Sequence, residues 1–161
     1  MIKYKNIERL KDKYQSAFTR GEHIVCQEKL DGSNASFCYD EKSNMLIAFS
    51  RRQQLTQDNG LNGFYDFVST LNVKVFKDIL KDNLVIFGEW LLPHAIKYPA
   101  EMYHNFYVFD IYDKSINSYL PWEQTVQIAN QCGLNLVPVF YDGAFVSWED
   151  IFKLVGQTKM E

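Results

Sequence analysis

The 161-residue chain is poor in several things. Its three cysteines, Cys26, Cys38 and Cys132, form no C-x-x-C pair, are odd in number, and each lies in or beside an apolar stretch. That leaves no disulfide framework and predicts reduced, buried thiols in a cytoplasmic protein. No apolar run is long enough to cross a bilayer, and no signal-peptide pattern opens the chain. Repeats, low-complexity tracts and Pro/Ser-rich linkers are absent, which predicts one continuous unit over residues 1–161. A net charge of −3 and a pI near 5.6 exclude a strongly basic nucleic-acid footprint. Any such contact is local, and Arg51–Arg52 in "SRRQQ" is the one tight basic pair.

Apolar residues make up 47% and charged residues 23%, an ordinary balance for one domain with one core. The aromatic share of 16% is high. It is read first as a thick β core and second as a stacking surface for bases. Ile7, Leu10 and Tyr14 recur at helical spacing and predict a short surface helix over 5–15. Strands are predicted at 22–29, 34–40 and 45–50, with "DGSN" as the turn between the first two. A polar loop follows, then helix over 62–82 with a break near Asn72. "NLVIFGEWLL" and "NFYVFDIYD" read as strands on either side of an irregular loop. Pro121 and Gly133 bracket a helix, "NLVPVFY" reads as a strand that Pro138 puts at an edge, and Ser147 and Gly156 bracket a last helix. The expected class is α+β, mainly antiparallel sheets with flanking helices.

Four features carry chemistry. Lys29 in "EKLDGSN" ends an apolar strand. A lysine must lose a proton to act as a nucleophile, which from an ordinary pKa of about 10.4 costs roughly 4–5 kcal/mol at pH 7. A pocket with neighbouring cations lowers that cost. Asp31 and Gly32 make a tight turn that seats such a lysine on a pocket floor, and Gly32 admits close approach of a ligand. The plain alternative is a hairpin with a solvated lysine. Glu89 stands among eight apolar residues and needs a ligand hydroxyl or a buried cation as partner, or else forms a structural ion pair. Phe109 and Asp110 alternate along a strand and so are expected on opposite faces, the ring for stacking and the acid for holding basic side chains. The plainer reading is a core ring and an outward acid. Arg51 and Arg52 follow a strand end and offer forked donors to phosphate or sugar oxygens, or form a solvated loop.

Taken in order, K-x-D-G-x-N, S-R, F-G-E and F-D-I, these features resemble the nucleotidyltransferase domain of the covalent lysyl-AMP ligases. The nearest type is the ATP-dependent RNA ligase of the phage RNA ligase 2 kind. The resemblance covers residues 27 to 113 and implies a nucleotidyltransferase (ATP-grasp-like ligase) fold. It implies that Lys29 is the adenylylated lysine and that Asn34 contacts phosphate. Glu28, Arg51 and Arg52 become nucleotide contacts, Glu89 binds the ribose, and Phe109 stacks on adenine. Asp31, Gly32 and Asp110 support them, and Lys29, Glu89 and Phe109 should line one pocket. The implied reactants are ATP, giving enzyme-bound AMP, with Mg²⁺ or Mn²⁺, and RNA ends bearing 5′-phosphate and 3′-hydroxyl. DNA ligases and mRNA-capping enzymes share the lysine motif, but the aromatic-Asp-Ile run and the short length favour RNA ligase. The family continues with an acidic metal-binding strand and then a strand with two lysines on the α-phosphate, neither of which is found here. The chain thus resembles a catalytic domain truncated at its C-terminus, without the RNA-binding domain common in relatives. Two expectations follow. One is an RNA ligase or its truncated adenylylation module, prone to self-association through the truncated edge. The other is a non-catalytic nucleotide- or RNA-binding fragment or degenerate paralogue.

Overall fold

The computed structural model describes residues 1–11 and 15–160. Contacts divide the chain into two units. Unit 1 holds Met1–Tyr4 and Leu30–Val137, and unit 2 holds Lys5–Lys29 and Pro138–Glu161. Among the described residues no helix is long and apolar enough to cross a membrane.

Unit 1 is built on a six-stranded sheet of order β3-β2-β4-β5-β6, with β7 also on β5. The strands are β2 (Ser33–Asp40), β3 (Met45–Ser50), β4 (Leu84–Trp90), β5 (Phe106–Asp113), β6 (Ser118–Tyr119) and β7 (Asn135–Leu136). All pairings are antiparallel except β5 with β7. The helices are α1 (Phe64–Thr70), α2 (Val73–Leu80) and α3 (Trp122–Gln131). Asn72 is the predicted break between α1 and α2, and its side chain caps α2 by accepting from the Lys74 N–H.

Strand alternation sorts the sheet into two faces. Ala35, Phe37, Ile86, Trp90, Phe106, Val108 and Ile111 form the buried core with Phe64 and Val68 of α1, Phe76 and Leu80 of α2, and Ala129 of α3. The rings interlock: Phe64 lies 5.0 Å from Phe106 and 5.6 Å from Trp90, and Phe37 lies 5.5 Å from Phe76. Gly88 is in this layer because a Cβ there would stand 2.5 Å from the Phe106 ring. The high aromatic content therefore does build a core, as expected.

Unit 2 contains a two-stranded antiparallel sheet of β1 (His23–Gln27) and β8 (Val139–Ala144), followed by α4 (Trp148–Phe152). Ser147 caps α4 by accepting from the Asp150 N–H. Phe18, Phe145 and Trp148 pack together with centroids 5.2 to 5.7 Å apart.

Four expectations are corrected. β1 and β2 do not form a hairpin: β1 pairs with β8, and β2 pairs with β3 and β4. The "DGSN" stretch is a connector, because the Asp31 and Gly32 N–H groups donate to the Tyr98 hydroxyl and the Glu89 carboxylate instead of to a facing strand. "NLVPVFY" is two strands, β7 and β8, with the unit boundary at Val137–Pro138. Proline has no N–H to continue a ladder, and the Pro138 carbonyl accepts from Glu28. Residues 5–11 are irregular rather than helical, and Tyr14 lies outside the described residues. The three cysteines are free, as expected, but each is only half-buried.

Candidate functional site

The face of the unit 1 sheet opposite its helix-packed core carries Asn34 and Ser36 from β2, Phe87 and Glu89 from β4, and Tyr107 from β5. Asn34 and Glu89 are direct cross-strand partners. They stand at the end of the sheet where β2 begins and where β3 and β4 finish. Glu89 is half-buried, and its Oε1 accepts the Gly32 N–H at 3.0 Å. This resolves the placement of an acid in an apolar strand, since a backbone donor on the connector meets the carboxylate.

Asp31 ties the same connector to the loop after β4. Its Oδ2 accepts the Ile96 N–H at 2.8 Å, its own N–H donates to the Tyr98 hydroxyl at 3.0 Å, and His94 Nδ1 lies 3.7 Å from its Oδ1. The Tyr98 N–H in turn donates to the Tyr103 hydroxyl at 3.0 Å. The loop that reads as irregular in the sequence is thus fastened to the Asp-Gly turn.

Phe109 and Asp110 do not point to opposite faces. The β4–β5 register jumps from Gly88↔Val108 to Phe87↔Asp110, so Phe109 is the extra residue of a bulge. Simple alternation would drive Asp110 into the core; the bulge turns it to the Phe87 side and leaves Ile111 in the core. Both residues then meet Tyr4. Its ring lies 4.8 Å from Phe109, 5.3 Å from Phe87 and 5.4 Å from Tyr119, and its hydroxyl donates to Asp110 Oδ2. Burial, and then the Asp110 carboxylate, push the Tyr4 hydroxyl far above the ordinary phenol range.

Arg51 and Arg52 are exposed on a tight turn that closes β3. The Ser50 N–H donates to the Gln53 carbonyl at 2.9 Å, and the Ser50 hydroxyl accepts from the Arg52 N–H at 3.3 Å. Both arginines leave the end of the sheet that carries Asn34 and Glu89, since Ser50 pairs with Ala35.

In unit 2, Glu28 and Lys29 follow the last residue of β1. Lys29 is exposed, whereas Glu28 is buried. The Glu28 carboxylate accepts from the Thr158 hydroxyl at 2.6 Å and from the Lys159 N–H at 2.9 Å. Among the described residues no group of three or more His, Cys, Asp or Glu side chains is placed to hold a metal ion.

The RNA ligase family model matches residues 22–161. The chain belongs to the RNA ligase family. Solved structures of similar fold include two forms of an archaeal ATP-dependent RNA ligase. One has a TM-score of 0.69 at 22% identity, over 89% of this chain and 38% of that one. The other has a TM-score of 0.67 at 21% identity, over 88% and 38%. The RNA ligase of Naegleria gruberi, solved with PPi, has a TM-score of 0.63 at 19% identity, over 88% of this chain and 43% of that one. Variants of the Naegleria protein are solved with ATP and Mn and with AMP and Mn. No curated protein matches. This RNA ligase family member therefore spans about two-fifths of the length of those ligases.

In this ligase-family chain Asp31, Gly32, Asn34, Arg51, Arg52, Glu89, Phe109 and Asp110 all belong to unit 1, and Glu28 and Lys29 to unit 2. Glu89 meets Gly32 and Asn34 directly, whereas Phe109 and Asp110 meet at Tyr4. Tyr4 was not legible as a site neighbour. A lone tyrosine ahead of a polar stretch carries no local signal, and its partners lie 83 to 115 residues away in the chain. The fastening of Asp31 by Tyr98 and Ile96 was equally invisible, because it uses one hydroxyl and one main-chain N–H.

Proposed function

We propose that the chain performs the adenylylation chemistry of an ATP-dependent RNA ligase, with Lys29 as the nucleophile. The Lys29 amine attacks the α-phosphorus of ATP, an N–P bond forms, the bond to the bridging oxygen breaks, and pyrophosphate leaves. The amine proton passes to solvent. AMP then moves to an RNA 5′-phosphate, and a 3′-hydroxyl displaces it to join the ends. Glu89 holds the ribose hydroxyls, Phe109 stacks on adenine, and Asn34, Arg51 and Arg52 face the phosphates. Asp31, Gly32 and Asp110 fix the geometry. Such chemistry depends on positioning and electrostatics more than on new covalent machinery.

The observation that carries this reading is the shared face of Asn34 and Glu89, direct cross-strand partners, in a chain of the RNA ligase family. A divalent cation, Mg²⁺ or Mn²⁺, accompanies the ATP phosphates as part of the substrate complex, and no residue of this chain is assigned to it. The test is incubation with α-labelled ATP and either cation, then denaturing electrophoresis. Label should travel with the protein and resist heat and detergent. Lys29→Arg should abolish it, because a guanidinium stays charged at any accessible pH. Glu89→Ala should weaken it less, since Glu89 orients rather than reacts. Labelling of the Lys29→Arg variant at the wild-type level would refute the assignment. ATP binding without covalent label would leave a nucleotide-binding chain that does no chemistry.

A further inference from the structure

Among the described residues Glu28 is the one charged side chain in the buried class, at 8% exposure. A carboxylate at that depth is costly unless donors surround it. Its donors come from one short segment 130 residues away. The Thr158 hydroxyl donates to Oε1 at 2.6 Å and the Lys159 N–H to Oε2 at 2.9 Å. The same segment has one bond within itself and one more to β8. The Met160 N–H donates to Thr158 Oγ1 at 3.1 Å, and the Lys159 ammonium donates to the Val139 carbonyl at 2.6 Å while lying 5.7 Å over the Phe140 ring. Glu28 itself also donates its N–H to the Pro138 carbonyl at 2.8 Å. The β1 ladder ends at Gln27, after a register irregularity, so these bonds hold the backbone that leads into Lys29.

We infer that Glu28 is a positioning residue for Lys29: its carboxylate clamps Thr158–Met160, and the clamp fixes the backbone from which the lysine projects. The inference rests on the reading of Lys29 as nucleophile. It differs from a nucleotide contact by the Glu28 side chain, because both carboxylate oxygens are already engaged by the chain itself. A displacement of about 1 Å at a reacting group is enough to cost on the order of 100-fold in rate.

The experiment uses the full chain with Glu28→Ala, Glu28→Gln and Thr158→Val. Two quantities are read: the rate of lysyl-AMP formation as a function of ATP, and amide hydrogen exchange at Lys159 and Met160. Glu28→Ala should lower the saturated rate by at least about 10-fold without changing the half-saturating ATP concentration. Glu28→Gln should restore most of it, since an amide can accept from the Lys159 N–H and donate to Thr158 Oγ1. Thr158→Val, at the other end of the clamp, should show a smaller loss of the same kind. Exchange protection at Lys159 and Met160 should fall in the Ala variant and persist in the Gln variant. A raised half-saturating ATP concentration in Glu28→Ala with no effect of Thr158→Val would overturn the proposal in favour of nucleotide contact. Equal loss in the Ala and Gln variants would also overturn it, by making the negative charge the active feature. If the wild-type chain forms no lysyl-AMP, the ligase reading fails separately. Exchange then decides the clamp: unchanged protection in Glu28→Ala refutes it.

Discussion

Gly32→Ala is the sharpest perturbation of the site. Gly32 passes so close to the end of β4 that a Cβ would stand 2.5 Å from the Trp90 carbonyl oxygen, 3.0 Å from Leu91 Cα and 3.1 Å from Glu89 Cγ. The first two are backbone atoms and have no rotamer to escape into. Relief requires the connector to lift off β4, and that movement stretches the 3.0 Å bond from the Gly32 N–H to Glu89. Forcing an extra carbon into a packed contact costs about 1–3 kcal/mol. The lost bond to a carboxylate adds about 1.5 kcal/mol, the low end of its range because Glu89 is half-buried. The sum is roughly 2.5–4.5 kcal/mol, a large share of the stability of a small domain. Thermal unfolding followed by far-ultraviolet circular dichroism should show a midpoint lower by about 5–18 °C. Glu89→Ala, which removes the bond and leaves the backbone clash for the double variant, should cost about 1.5 kcal/mol alone. Combined with Gly32→Ala it should cost less than the sum, because both changes remove one shared contact. A Gly32→Ala protein within about 0.5 kcal/mol of wild type would refute the steric argument. Strict additivity would refute the coupling.

Two further outcomes follow from the titrating groups. Tyr4→Phe removes the donor to Asp110 and should cost about 1.5 kcal/mol at neutral pH. The Tyr4 ionisation is raised in the fold above its unfolded value of about 10, so its contribution is complete below pH 10 and fades as the pH rises beyond. The difference in melting temperature between wild type and Tyr4→Phe should therefore shrink above pH 10, and a constant difference would exclude the bond. Burial pushes the Cys132 thiol up to about 11. Its reaction with iodoacetamide at pH 8, followed by peptide mass, should then run on the order of 100-fold slower in the folded chain than in urea, and equal rates would contradict its burial.

Much of unit 1 was legible because local pattern and final environment agree there. The alternation in β2 and β3, the apolar run of β4 and the capped break at Asn72 each have one reading, and the fold keeps it. Reading failed where the answer depends on distant partners. The Asp31-Gly32 pair has hairpin chemistry, yet sheet membership is set by which buried faces β1 and β2 find, and they find different ones. Val137 and Pro138 look like the middle of a strand because the apolar residues on both sides are real strand residues, each in its own sheet. The bulge at Phe109 escaped for the same reason: period-two alternation holds on both sides of it, and the extra residue shows only in the register with β4.

These failures coincide with the candidate chemistry for a physical reason. A side chain in the middle of a ladder has its direction fixed by the pleat, and its backbone donors are consumed by the neighbouring strand. Lys29 stands instead where the chain leaves unit 2, and Pro138 stands where it returns. Within unit 2 the Glu28 N–H joins these two points by its bond to the Pro138 carbonyl. Within unit 1, the residues just past the crossing are held by single, identifiable bonds, from Asp31 to Tyr98 and Ile96 and from Gly32 to Glu89. Freed from the ladder, the connector takes a geometry that repeating structure does not supply, and each bond that sets it comes from one named residue. That is why the K-x-D-G stretch misreads as a hairpin, and why Glu28→Ala is expected to act on the backbone before Lys29 within unit 2, and Gly32→Ala and Glu89→Ala on the turn held against β4 within unit 1.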